Sequence, residues 1–439
     1  MIRQTTAALL PLCIIATPAH AKDENLDIEA SVRVRVEGID GQFRPNTADT
    51  GAVLLRSQVS AEYDAGPVRI GGEIQDARVY FDRQPSSVGT TEVDALELIQ
   101  AYVTAELSEK AELQVGRMTM DWGSRRLVSR QNFRNSTNAF TGARFDWRLS
   151  GGNNLTLFWT MPQDRLPNDR EGILDNEIEP NRERLEQQFF GARGVTSAVL
   201  HGVSLEGYVY RLFEEDTPSF ATRNRRLWTG GIRLLKTPKV DAVDFEVEAI
   251  WQEGKARAST AAADRTDLNV TAYFVHASVG RTFAMPWSPR LVLSYDHASG
   301  DGRGNGYGRF DTLFGARVFE YGPSSLYGPI GRANLISPEA RVEVKPSKRW
   351  DGYLAVRPLW LENATDSFAS TGLRDASGAT GRYAGTQFDF RVRHWLKPDR
   401  VRVAAGAAVL AKGNFLSNAP RAPDNGDTHY GFMEITYGF

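Results

Sequence analysis

Beyond its first twenty residues the chain has no uncharged apolar run of the ~18 residues that a membrane-spanning helix needs, which excludes a helical membrane protein. It has almost no cysteine: the only one is Cys13, so disulfide scaffolds, zinc-thiolate sites and thiol chemistry are excluded. Neither sign of charge is in excess, with 52 basic against 54 acidic residues, so the chain lacks the basic face that gathers phosphates and releases their counterions, and nucleic acid is excluded as a partner. Histidine is scarce as well, at six residues. The N-terminus shows what kind of chain remains. Arg3 supplies a positive start, residues 7–17 are apolar, and Ala19, His20 and Ala21 form a small-residue cleavage pattern. Residues 1–21 are thus expected to be a secretory signal peptide that carries Cys13 away, leaving 22–439 as one domain without a disulfide.

That domain alternates. Leu26, Ile28, Ala30, Val32, Val34 and Val36 take one parity while Asp27, Glu29, Ser31, Arg33, Arg35 and Glu37 take the other, which is the period of a strand with one apolar face. The split recurs where Phe245, Val247, Ala249 and Trp251 oppose Glu246, Glu248 and Gln252, and where Phe388, Phe390 and Val392 oppose Asp389, Arg391 and Arg393. About eighteen such runs occur, each near the ~9–11 residues of a tilted transmembrane strand. The connections sort by length. Those around 38–51, 81–93, 162–185, 299–333, 362–382 and 413–427 are long, whereas those around 64–67, 108–110, 149–153, 345–349 and 396–400 are short. Outer-membrane barrels have this rhythm, with short periplasmic turns and long extracellular loops. The last run, Met433, Ile435, Tyr437 and Phe439, can close on the first, so that no edge faces lipid. The expected fold is all-β: a transmembrane, antiparallel, up-and-down β-barrel of about eighteen strands in the outer membrane, bordered by lipid and lipopolysaccharide.

Only nine of the 52 basic residues are lysines, and six of those (Lys110, Lys236, Lys239, Lys345, Lys348 and Lys397) fall at expected periplasmic turns. Arginines instead occupy the polar strand faces: Arg33, Arg35, Arg56, Arg69, Arg144, Arg148, Arg233, Arg341, Arg391, Arg393 and Arg402. An arginine turned to lipid at the midplane costs roughly 2–4 kcal/mol, so these point into the lumen, whose wall is expected to be wet. Guanidinium forks grip carboxylates, which suggests an anion path. Inward acids such as Glu29, Glu62, Glu73, Asp146, Glu246, Glu339 and Asp389 offer the other outcome, pairing across neighbouring strands. Arg78 and Arg117 break their strands' parity and therefore mark either a bulge or positions above the membrane.

Particular residues carry a family resemblance. Gly116 and Arg117, then Gly123, Ser124, Arg125, Arg126 and Leu127, then Phe140, Gly142, Ala143 and Arg144 resemble the signature of the alginate export family of outer-membrane porins. A second stretch, with Tyr295, Ser299, Gly300, Asp301, Phe310, Leu313, Phe314, Tyr321, Gly322 and Asn334, resembles that family's long loop after an upward strand. The resemblance spans nearly the whole mature chain. It implies an eighteen-stranded barrel with an arginine-lined conduit for a polyuronate, with Arg117, Arg125, Arg126 and Arg144 at the motif's positions. Met118, Phe133 and Thr141 depart from the pattern, and the short periplasmic turns leave no segment to close that mouth.

The expected function is passive passage of anionic saccharides such as alginate or related uronates, with export or uptake components of the periplasm as further partners and no bond chemistry. Three rivals accompany it. A less selective general porin would need no arginine path. A barrel-embedded hydrolase would need a nucleophile motif, and His201, His276, His297, His394 and His429 lie in none. A closed structural barrel would need inward bulky apolar residues or a chain segment threading the lumen. No cofactor is expected, although Asp301, Asn305 and Gly306 weakly resemble a calcium loop that lacks its final glutamate.

Overall fold

The computed structural model describes residues 25–200 and 202–439; the expected signal peptide, with Cys13, and His201 lie outside them. Eighteen antiparallel strands form a closed barrel. They are β1 (Leu26–Asp40), β2 (Thr50–Asp64), β3 (Val68–Tyr80), β4 (Asp94–Ser108), β5 (Ala111–Met118), β6 (Phe140–Arg148), β7 (Asn154–Pro162), β8 (Gln187–Leu200) and β9 (Val203–Glu214). The second half comprises β10 (Arg226–Lys236), β11 (Val243–Ala256), β12 (Leu268–Thr282), β13 (Arg290–Ala298), β14 (Leu335–Ser347), β15 (Trp350–Trp360), β16 (Tyr383–Lys397), β17 (Val401–Lys412) and β18 (Thr428–Gly438). Each strand pairs with its neighbour in sequence. The barrel closes where β1 meets β18, with Val34 opposite Ile435 and Arg35 opposite Glu434.

Alternation places the side chains as the sequence implies. Along β1, Val34 and Val36 are exposed on the outer face while Arg33, Arg35 and Glu37 are buried inside. Along β10, Trp228, Ile232 and Leu234 face outward, and along β16 Phe388, Phe390 and Val392 do so. These apolar side chains have no protein neighbour because lipid is their solvent. Strand pairing leaves no backbone group bare at that depth. The six turn-associated lysines lie in or beside short connections, all at one end of the barrel.

The interior departs from expectation. Residues 119–139 form a long loop between β5 and β6 that strand periodicity does not reveal, and it folds into the lumen. It meets the inward-folded loop 299–334. Val128 and Phe314 form a parallel bridge, the Ala316 N–H donates to the Arg125 carbonyl at 2.9 Å, and the Gln131 side chain donates to the Gly315 carbonyl at 2.6 Å. A Cβ on Gly315 would lie 1.7 Å from the Arg126 carbonyl, so only glycine permits this crossing. Bulky rings on the inner face receive the loops: Phe314 packs on Phe140 and Phe189 with centroids 5.2 and 5.1 Å away, and Trp122 packs on Phe158 at 4.7 Å. The lumen is therefore bridged by a strap of two loops rather than being a simple wet bore. Inward bulk and a threading segment, the features expected of a closed barrel, are both present.

Ile232→Arg sets a cation toward lipid and is expected to lower stability by about 2–4 kcal/mol in vesicle-embedded urea unfolding, whereas Ile232→Leu should cost under about 1.5 kcal/mol.

Candidate functional site

The strap is tied to the wall by arginines. From β1, Arg33 donates to the carbonyls of Asn132 at 2.8 Å and Arg134 at 3.0 Å, and to the Asn135 side chain at 3.0 Å. Arg35 donates to the Phe133 carbonyl at 2.6 Å, pairs with Glu37 at 2.6 Å and lies 4.1 Å over the Phe133 ring. Arg56 of β2 reaches the Asn132 and Arg134 carbonyls at 3.3 and 3.2 Å. Across the lumen, Arg126 of the strap is clasped by Glu246 and Glu248 of β11 and by Glu320 of the second loop. From β14, Arg341 donates to the carbonyls of Phe319 and Glu320 at 3.3 and 3.0 Å and pairs with Glu339 at 3.0 Å. Arg125 stacks 3.6 Å from the Phe319 ring and sits 3.6 Å from Asp121.

The other wall arginines pair with carboxylates. Arg69 bonds Glu112 at 2.6 Å, Arg144 bonds Asp146 at 2.6 Å, and Arg148, largely exposed at the periplasmic end, reaches Glu112 at 3.5 Å. Arg233 links Glu246 and Glu206 at 2.9 and 3.2 Å. Arg391 and Arg393 share Asp351 at 3.9 and 2.8 Å. Arg117, expected on the lumen path, is not there. It has the outward parity of β5, beside Thr141 and Ala101, and runs to Glu97 at 2.7 Å and to Glu183 of the next loop. Arg78 also faces outward, 2.9 Å from Asp76 near the extracellular end. Both parity breaks thus mark positions at the extracellular rim, where a charge finds partners outside the lipid.

Arg56 has no carboxylate within salt-bridge reach among the described residues, and further arginines without one come from the loops. Above the strap, on the extracellular side, a cavity of about 330 Å³ is lined by Arg134, Arg165, Arg317 and Arg332, with Gln131, Asn138, Phe314 and Ser370 among its other walls and no carboxylate. Arg332 pairs with Glu320. Among the described residues Arg165 bonds only the Asn138 and Ser136 side chains, at 3.0 and 3.4 Å, and Arg317 has the Ser370 hydroxyl at 2.8 Å and loop carbonyls. The Nε atoms of Arg134 and Arg317 are buried without a partner among the described residues. Burial, reinforced by the charges of Arg317 and Arg165, pushes Arg134 down to about 9, and burial beside Arg44 and Arg332 pushes Arg317 down to about 10. Both stay cationic at neutral pH; burial is the main cause of the depression, and the neighbouring guanidinium groups add to it against the one opposing acid, Glu92. Below the strap acids join the arginines: a cavity of about 240 Å³ interleaves Glu246, Glu320, Glu339 and Glu343 with Arg125, Arg126, Arg233, Arg290, Arg341 and Arg357.

Periodicity could not find Arg134, Arg165, Arg317 and Arg332, because all four lie in loops. The run 129–134, with two arginines in six residues, is the one trace of Arg134, and Arg165, Arg317 and Arg332 leave none. The histidines take other roles: His276 bonds Asp296 at 2.7 Å, His297 meets the Tyr273 hydroxyl at 3.1 Å, and His394 stacks on Trp350. In the glycine-rich loop, Asp301 accepts the Gly308 N–H at 3.0 Å, and the nearby Asp366 pairs with Arg309 at 2.8 Å.

A closed barrel with lipid-facing apolar strands and a charged, loop-constricted interior defines an outer-membrane channel. The chain belongs to the alginate export family, whose model matches residues 24–427. Among solved structures it is similar to OccAB1 of Acinetobacter baumannii (12% identity, TM-score 0.61, 94% of this chain and 96% of that one). It is likewise similar to two Pseudomonas aeruginosa proteins: OccK8 (OprE), at 10% identity and TM-score 0.60 over 95% of this chain and 98% of that one, and opdK, at 12% and 0.59 over 94% and 99%. At these identities the likeness is one of fold. No curated protein matches the chain.

Removing the Arg126 clasp should loosen the strap. Arg126→Ala leaves Glu246, Glu248 and Glu320 facing one another, a loss of about 3–5 kcal/mol for a broken buried pair, seen as a lower unfolding midpoint together with raised single-channel conductance.

Proposed function

We propose that the protein passes anionic saccharides of the uronate type, alginate-derived ones among them, passively across the outer membrane and carries out no bond chemistry. The observation that carries this reading is the vestibule in which Arg134, Arg165 and Arg317 stand without a carboxylate. Buried guanidinium groups short of partners favour a ligand that brings its own negative charge. A carboxylate entering there replaces its lost hydration with N–H donors. Below the strap, alternating acids and arginines keep binding shallow enough to allow exit. The family membership supports the same class of cargo.

Arg134→Gln, Arg165→Gln and Arg317→Gln, singly and combined, are expected to move the reversal potential across a salt gradient toward cations. Each should also weaken block by a uronate about tenfold, since a hydrogen bond to a charged group contributes about 1.5–3 kcal/mol. Arg393→Gln, which removes an arginine already held by Asp351, should shift the potential less. An unchanged potential in the triple variant would leave a general, unselective porin.

A further inference from the structure

The vestibule cavity does not end at the arginines. It shares Asn138, Arg165 and Phe314 with a second cavity of about 260 Å³, lined further by Thr90, Asn168 and Phe220. The two differ in character. The first presents guanidinium groups. The second presents amide and hydroxyl side chains and the Asp164 carboxylate, which pairs with Arg184 at 3.5 Å, beside the rings of Phe140, Phe220 and Phe314, and neither Thr90 nor Asn168 has a side-chain hydrogen bond to another described residue. Arg165 stands at the seam, so a ligand whose carboxylate lies among the arginines places its body between Phe314 and the polar groups of the second cavity. A ring with hydroxyls on its rim and an apolar face suits that lining. Each volume is near the lower end of the ~300–1,000 Å³ range of small-molecule pockets, which is space for one small ligand.

A long chain meets an obstacle directly beneath. At the crossing of the two loops the backbones touch, as Gly315 shows, and the strap is tied to β1, β2, β11 and β14 and packed on the rings of β6, β7 and β8. Charge is also unequal about the strap, with arginines in a cavity lined by no carboxylate on the extracellular side and arginines set among acids below. Resting on the anion reading above, we propose that the vestibule is a binding site for a single monomeric sugar acid, loaded from the extracellular face, with the carboxylate among Arg134, Arg165 and Arg317 and the hydroxyls toward Thr90 and Asn168, and that a polyuronate chain does not thread the strap.

The test is current block in planar bilayers holding channels of one insertion direction, with galacturonate, hexanoate, glucose or a polyuronate added to either side. Galacturonate should block from the extracellular side, at concentrations on the order of tenfold below those of hexanoate, the worth of one or two net hydrogen bonds. Glucose should have little effect, and polyuronate should block no better per chain than the monomer. Asn168→Ala with Thr90→Val should erase the advantage of galacturonate over hexanoate without changing block by hexanoate, whereas Arg317→Gln should weaken both acids. Equal block by galacturonate and hexanoate in the unaltered protein, or tighter block by polyuronate, or equal potency from the two sides, overturns the sugar-acid site while leaving anion selectivity standing. Block by glucose as strong as by either acid, with no anion preference, overturns the anion reading itself.

Discussion

Guanidinium groups reaching from the wall to loop backbone are the interaction on which the rest of this structure depends. Arg33, Arg35 and Arg56 hold residues 132–135 from one side of the lumen, and the acids of β11 hold Arg126 from the other. The strap needs both. Loops of 20 to 40 residues would otherwise remain mobile above the membrane, because ordering a residue costs roughly 1–2 kcal/mol of backbone entropy. Charged donors aimed at carbonyls in a partly dry interior help to offset that cost, as do the rings of Phe140, Phe158 and Phe189.

One consequence is a division of labour among the arginines. Those on strands are largely consumed in structure, by carboxylates on the same or a neighbouring strand or by loop carbonyls. Three brought in by the loops, Arg134, Arg165 and Arg317, face a cavity lined by no acid. The net charge of −2 therefore conceals an interior sorted by height, with arginines free of lining acids above the strap and arginines interleaved with acids below it.

The sequence made the barrel legible because two solvents act on alternate residues of every strand. Val34 beside Arg35, or Phe390 beside Arg391, has no other explanation, and the sorting of loop lengths gave the barrel its orientation. The constriction was less legible. Loop residues obey no period, so 119–139 passed unnoticed as a segment even though Arg125 and Arg126 within it were recognised by resemblance. Wall arginines such as Arg33 and Arg233 were placed in the lumen by parity alone, yet parity does not say whether a neighbour neutralises them. Arg117 failed for a related reason: near the rim an outward side chain can find Glu97 and Glu183, so the lipid-face penalty that ordered the other arginines no longer applies.

Locking the two loops together tests the central claim most directly. Val128 and Phe314 are bridge partners, and the ~4.7–4.9 Å spacing of paired strands lies within the ~4.4–6.8 Å Cα separation that a disulfide spans, while the chain beyond residue 21 has no cysteine of its own. In the double variant Val128→Cys, Phe314→Cys, the oxidised and reduced channels should carry the same current, because the loops are already joined. A current that changes when the bond is oxidised would show that the loops part during conduction, and the strap would then be a gate rather than a fixed constriction.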